Sequence, residues 1–345
     1  MDKRPTVSEV AKLAGVHRST AARALSAATS GLLRAETVQR VNAAARELGY
    51  SSNSIARGLR TNRSNSVGVL IPDLNNPRFP PIVRGIEDAL LPHDYTVLIG
   101  NTDNNQERAR AQFETMLSQR VDGFIVATAR LHDEVLIDAQ RRGVPVVLVN
   151  RAADSNTFPM VLGDDRNGMA ASVDHLVELG HRHIVHLSGP NDVSTSMVRR
   201  AAFREFASAR GLSESDAEIV VCDAFTEDGG AAGAAEVLAR SRRPTAIIAG
   251  NDLIALGVLR TMKRLGLSCP DQVSVVGFND MRFTDAISPP LTTVHVPHDR
   301  LGYESANLLV ELLRCPTSPP KALLLPTHLV VRESTAPPAS GRRPR

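Results

Sequence analysis

Apolar residues recur along this chain with two different periods, and the change from one to the other divides it. In the first fifty positions they fall three and four residues apart, at Val7, Val10, Ala11 and Ala14 and again at Val38, Val41, Ala45 and Leu48. That spacing lays an apolar stripe along one face of a helix. Thr6-Val7-Ser8-Glu9 reads as a capping box opening the first helix. Gly15 ends it, a second helix is expected over 17–25, and a third over 35–48 stops at Gly49. From Val67 the pattern becomes short β-rich runs, at 67–71, 96–99, 123–126, 146–149, 184–187, 219–221, 246–248, 273–276 and 329–331. Amphipathic stretches lie between them, for example at 82–91, 107–117, 168–179, 201–210 and 253–265. Strand–helix alternation predicts parallel α/β sheets, and a break near residue 163 predicts two lobes.

Between the two patterns, residues 51–65 are dominated by Ser, Asn and Arg and read as a hinge and linker. Asn53 can cap a short helix running to Arg60. Such a helix is too short to be stable alone in water. Gly58 weakens it by about 1 kcal/mol relative to alanine. The expected organisation is a helix-turn-helix domain at 5–50, the hinge helix and linker at 51–65, a two-lobed α/β body at 66–335 and a disordered tail at 336–345. The whole stretch from Ser334 is rich in Pro, Ala, Ser and Arg, and is expected to be unstructured.

Charge sharpens this division. The formal net charge is only +3, but residues 1–63 hold eleven Lys/Arg against four acids, so that segment is +7 and the rest −4. A basic head on a mildly acidic body is the footprint of a nucleic-acid-binding module. The three cysteines, Cys222, Cys269 and Cys315, stand far apart and read as reduced thiols. His181, His183 and His186 alternate along a strand approach and do not form a metal-ligand spacing; neither metal nor cofactor is expected. The polar start lacks an apolar leader core, and no long apolar run is present, so a cytoplasmic location without a membrane partner is expected.

The ordered motifs of the head are specific. Val10-Ala11-Lys12-Leu13-Ala14-Gly15-Val16, Ser19-Thr20, Arg23-Ala24-Leu25, Arg40-Val41, Glu47-Leu48-Gly49-Tyr50 and 53–60 (Asn-Ser-Ile-Ala-Arg-Gly-Leu-Arg) together resemble the lactose/galactose repressor (LacI/GalR) family. The resemblance implies a ligand-responsive transcription regulator, a repressor above all, that binds a pseudo-palindromic double-stranded DNA operator as a homodimer. It puts Arg18, Ser19 and Arg23 against base edges, where an arginine can donate two hydrogen bonds to guanine. It puts Thr6 and Thr20 against phosphates, with Asn53, Arg57 and Leu59 in the hinge, while His17 is placed to reach a phosphate or a base. Leu59 would wedge into the minor groove and kink the duplex. His17 stands where a serine usually caps the recognition helix, and Arg34 replaces the usual cap of the third helix.

The body resembles the same family's periplasmic-binding-protein-like domain through Ile71-Pro72-Asp73-Leu74-Asn75-Asn76-Pro77, Gly250-Asn251-Asp252, Val275-Val276-Gly277-Phe278 and Pro290-Leu291-Thr292-Thr293-Val294. That implies chain crossings near 163, 291 and 320 and an effector in the cleft between lobes. Arg78, Phe79, Thr195, Arg199, Asn251 and Asn279 are the expected ligand contacts, and Asp252 fits a helix N-cap as well as a site. Arg78 stands where the family often has an aromatic, and Asn279 where an aspartate is common. Losing a carboxylate and gaining a guanidinium predicts an anionic effector, such as a phosphorylated sugar or sugar acid. A transport receptor is disfavoured by the basic head. An enzyme is disfavoured because no phosphate-loop, nucleophile-elbow or zinc-protease motif is present, so no catalytic residue is assigned.

Overall fold

The computed structural model describes residues 5–25, 27–50, 64–154 and 157–339. It divides the chain into two compact units, 1–64 and 65–345. In the first, α1 (Val7–Leu13), α2 (Arg18–Ala24), α3 (Ala27–Ser30) and α4 (Ala35–Glu47) follow one another. The four-residue α3 is an element that the apolar period, too coarse for a single turn, did not predict. Thr6 caps α1: its backbone N–H donates to Glu9 Oε2 at 2.6 Å, and its hydroxyl accepts from the Glu9 N–H at 3.4 Å. Gly15 turns the chain with φ of +62°, a conformation that costs a residue with a Cβ. The core of this unit is built largely from alanine around Val10 and Val41, which lets the short helices approach closely.

The second unit holds two six-stranded sheets. One has the order β11-β5-β4-β3-β1-β2, from β1 (Ser66–Ile71), β2 (Thr96–Asn101), β3 (Gly123–Val126), β4 (Val146–Val149), β5 (Met160–Gly163) and β11 (Ala322–Leu325). The other has the order β12-β10-β9-β8-β6-β7, from β6 (Ile184–Ser188), β7 (Ala217–Val221), β8 (Ala246–Ala249), β9 (Ser274–Asn279), β10 (Thr292–His295) and β12 (His328–Val330). All neighbours are parallel except β12, which runs antiparallel to β10. Helices α5 (Phe79–Leu90), α6 (Gln106–Ser118), α7 (Glu134–Arg141) and α12 (His298–Arg314) serve the first lobe. Helices α8 (Asp165–Glu178), α9 (Ser194–Ala209), α10 (Glu227–Leu238) and α11 (Asp252–Arg264) serve the second.

Strand periodicity explains the layering. Val67, Val69 and Ile71 pack with α5 and α12, whereas Leu70 packs with Phe113 and Met116 of α6. In the second lobe Val185 and Leu187 join α10 and α11, whereas Ile184 joins α8 and α9. Both faces of each sheet are therefore covered, as continuous apolar strands require. The chain passes between lobes after β5, after β10 and after β11. The last two passages come later than the expected 291 and 320, because Thr292–His295 and Ala322–Leu325 are themselves strands. With β5 these are the three strands that the nine apolar runs omitted.

The expectation of a disordered chain from Ser334 is corrected. Ser334 is fully buried, accepts from the Thr292 N–H at 2.8 Å and donates to Val275 O at 2.6 Å. Ala336 exchanges hydrogen bonds with the Ser274 hydroxyl. Low hydrophobicity did not reveal this anchoring because it is made by hydrogen bonds.

Candidate functional site

In the first unit the predicted DNA-contacting residues of α2 and its cap are at least partly exposed. His17, Arg18, Ser19 and Arg23 are exposed and Thr20 is partly exposed, while Ala21 and Ala24 face the core. His17 is a true cap of α2: Nδ1 accepts from the Ser19 N–H at 3.3 Å and lies 2.8 Å from the Ser19 hydroxyl. Imidazole thus replaces the expected hydroxyl oxygen at the same task. Arg34 at the start of α4 makes no side-chain cap bond. Thr6 is exposed at the start of α1. Asn53, Arg57 and Leu59 lie outside the described residues.

In the second unit the six expected ligand residues separate. A cavity of about 160 Å³ opens between the lobes, with Asn76, Phe79 and Arg151 on one side and Asp192, Val193 and Phe225 on the other. Phe79 is the one member of the expected set that lines it. The other five are buried, in a polar layer at the carboxyl ends of the strands. Arg78 donates to Asn150 Oδ1, and burial, with the charges of Arg199 and Arg151, pushes its guanidinium down to about 9. Arg199 donates to Gly250 O at 2.5 Å and to Asp165 Oδ1 at 2.8 Å, and its guanidinium lies 3.6 Å from the centre of the Phe278 ring. Asn251 caps α11 by accepting from the Ile254 N–H at 2.8 Å, and donates to Phe225 O at 3.3 Å. Asp252 is therefore not the cap. Its carboxylate accepts from Thr293 Oγ1 at 2.5 Å and from the Met281 N–H at 2.8 Å, while burial raises it to about 6.

Several atoms in this layer are buried without a hydrogen-bond partner: Arg78 Nε, Asn150 Nδ2, Arg151 Nε, Ser196 Oγ, both amide atoms of Asn279 and His298 Nε2. Asn279 also carries φ of +120° and is fully buried. Orphaned buried polar atoms are costly, at roughly 1–3 kcal/mol each, and their concentration here marks a place built to accept a polar guest. Thr195 is buried beside Ser196 at the start of α9.

Sequence reasoning missed Asn150, Arg151, Arg130, Asp192, Phe225 and His298. The signal for the first two was available, since they follow β4 directly and ligands bind beyond the carboxyl ends of strands. The mouth is bridged by Arg130, which pairs with Asp192, by the Leu131 N–H donating to Asp192 O at 3.1 Å, and by the Ala152 N–H donating to Ser194 Oγ at 2.8 Å. Those partners are far apart in sequence, so only the fold joins them. The three strand histidines are held separately: His181 by Thr245 and Ala336, His183 by Arg243 O, His186 by Ile248 O.

Comparison with known proteins agrees with both units. The family described as bacterial regulatory proteins, lacI family, matches residues 6–53, and a periplasmic binding protein-like domain matches 173–335. The HTH-type transcriptional repressor CytR of Escherichia coli K12 is 30% identical over 330 residues, 96% of each chain. The lac repressor dimer bound to operator and the anti-inducer ONPF superposes with a TM-score of 0.83 at 27% identity, covering 97% of this chain and all of that one. The transcriptional regulator CelR–cellobiose complex gives a TM-score of 0.73 at 30% identity, over 96% of this chain and all of that one.

Proposed function

Because the chain belongs to the lacI family of bacterial regulatory proteins, we propose that occupation of its inter-lobe cleft by an anionic effector sets its affinity for DNA. The protein is a DNA-binding transcription regulator that engages its operator as a dimer and responds to a sugar-type effector. Within that activity, Arg18, Ser19 and Arg23 read base edges in the major groove, and Thr6, His17 and Thr20 hold phosphates. Asn53 and Arg57 belong to the hinge that places Leu59 in the minor groove. The effector is bound and released unchanged, and the protein works in the cytoplasm, where its operator lies.

The observation that carries the effector reading is the gathering of Arg78, Arg151 and Arg199 in one buried layer whose amide and imidazole atoms lack partners. Asp165 pairs with Arg199, and Asp252 is spent on Thr293 and Met281, so cationic charge remains to be matched. An anion differentially bound by the closed lobes shifts the closed population, and by linkage DNA shifts effector affinity by the same factor. Selected-site sequencing followed by mobility shift tests the reading. A pseudo-palindromic site is expected, and Arg23→Ala is expected to cost about 1–3 kcal/mol and relax base choice. Asymmetric sites, or no shift with the full-length dimer, would reject DNA reading in this form. Calorimetry with D-ribose and D-ribose 5-phosphate tests the charge of the effector; tight binding of the neutral sugar alone would reject an anion.

A further inference from the structure

A second cavity, of about 320 Å³, lies to the side of the cleft within the first lobe. It sits beyond the carboxyl ends of β2, β3 and β4, where Thr102, Thr128 and Arg151 line it, and between the amino ends of α6 and α7, where Asn105 and Asp133 are the caps. Arg151 and Arg130 line both cavities, so the two spaces share a wall of guanidinium groups. We propose that this side chamber is an oxyanion subsite that receives a phosphoryl or carboxylate group with Arg151 as its anchor, an inference that rests on the anionic-effector reading and gives it a location.

Charge accounting supports it. Asp133 is occupied as a cap, accepting from the N–H groups of Arg130, Val135 and Leu136. Glu134 pairs with Arg110 at 3.6 Å, and Arg130 pairs with Asp192 while donating to Asn104 O at 2.7 Å. Glu107, in the first turn of α6, is exposed to water. Arg151 stands apart: it is 6% exposed, its Nε has no partner, and among the described residues its guanidinium donates to no acceptor. Burial, reinforced by the charge of Arg130, pushes it down to about 10. The opposing charge that reaches Arg151, that of Asp192, is already paired with Arg130, so the buried cation has no ion-pair partner of its own, and an arriving oxyanion would supply one. A guanidinium offers two parallel N–H donors to such a group, and the two helix amino ends add their dipoles.

The test is calorimetry on the full-length dimer with inorganic phosphate and with D-ribose 5-phosphate, in wild type, Arg151→Gln, Thr128→Phe and Arg78→Met. Thr128→Phe fills the chamber without removing a charge, so it stands even where Arg151→Gln fails to fold. Millimolar phosphate binding, weakened at least tenfold by Arg151→Gln and by Thr128→Phe, is the expected result. The sugar phosphate binding at least tenfold tighter than phosphate assigns the oxyanion to the effector; equal binding assigns it to a free anion. Absence of phosphate binding in wild type, or binding indifferent to both chamber variants, overturns the subsite. Binding lost in Arg78→Met but kept in Thr128→Phe also overturns it, while leaving an anionic effector in the main cleft.

Discussion

Asp252 and His186 are both fully buried, and they titrate against each other. Burial raises Asp252 to about 6 from an ordinary 3.8, so the folded state binds its proton more tightly than the unfolded chain. Its contribution is complete below pH 3.8 and is lost as pH rises through about 6. Burial lowers His186 to about 4 from 6.5; that contribution is complete above 6.5 and is lost as pH falls toward 4. Each is on the order of 3 kcal/mol, so between pH 4 and 6 they oppose one another. In Asp252→Asn the His186 effect is unmasked, and urea stability is expected to climb more steeply with pH across that window. Parallel profiles for wild type and variant would disprove the opposition. At this scale the sequence was informative about residue type and position, as with Arg78 and Asn279, but silent about partners. That Arg199 would be used up by Gly250 O and Asp165 could not be read from helix spacing, because both partners come from elements distant in sequence.

At the scale of elements, each lobe brings two helices together through paired glycines. A Cβ on Gly85 of α5 would lie 2.0 Å from Asp299 O of α12, and one on Gly302 would lie 1.9 Å from Ile82 O. In the second lobe Gly230 of α10 meets Ile254 O at 2.3 Å, and Gly257 of α11 meets Glu227 O at 2.1 Å. Backbone cannot yield as a side-chain tip can, so Gly302→Ala must push α12 off α5. Overpacking of this kind costs about 1–3 kcal/mol or more. Chemical denaturation should show that loss, and a midpoint unchanged from wild type would mean the helices are not held at this distance. Periodicity located most of α5 and α11, whereas α10 is dominated by alanine and glycine, which carry little hydrophobic contrast along the sequence.

For the molecule as a whole, the Arg130–Asp192 pair and the two backbone bonds beside it join lobes across the cleft mouth. Both side chains of the pair are partly exposed, at 28% and 46%, so its worth is limited to about 1 kcal/mol or less. Asp192→Asn is therefore expected to raise amide exchange at Leu131 and Ala152 by up to about fivefold, without unfolding either sheet. Unchanged exchange at both amides would show that the pair does not restrain the lobes. On the proposed coupling of lobe closure to DNA binding, the same change should also alter the effector concentration needed for half-maximal operator response.

The sequence by itself determined the two-unit plan, the helix-turn-helix, the parallel strands and the two-lobed body. These depend on short-range periodicity, capping residues and charge segregation, all of which are local properties of a chain. Tertiary structure alone decided which of the polar residues meet. It placed Phe79 in the cleft wall and Arg199 in a buried ion pair, brought Asp192 to Arg130, tied Ser334 to the second sheet and left Arg151, among the described residues, without an ion pair. The reason is physical: hydrogen bonds and ion pairs act over a few ångströms, and in this fold the groups that make them are carried together by strands far apart in the chain.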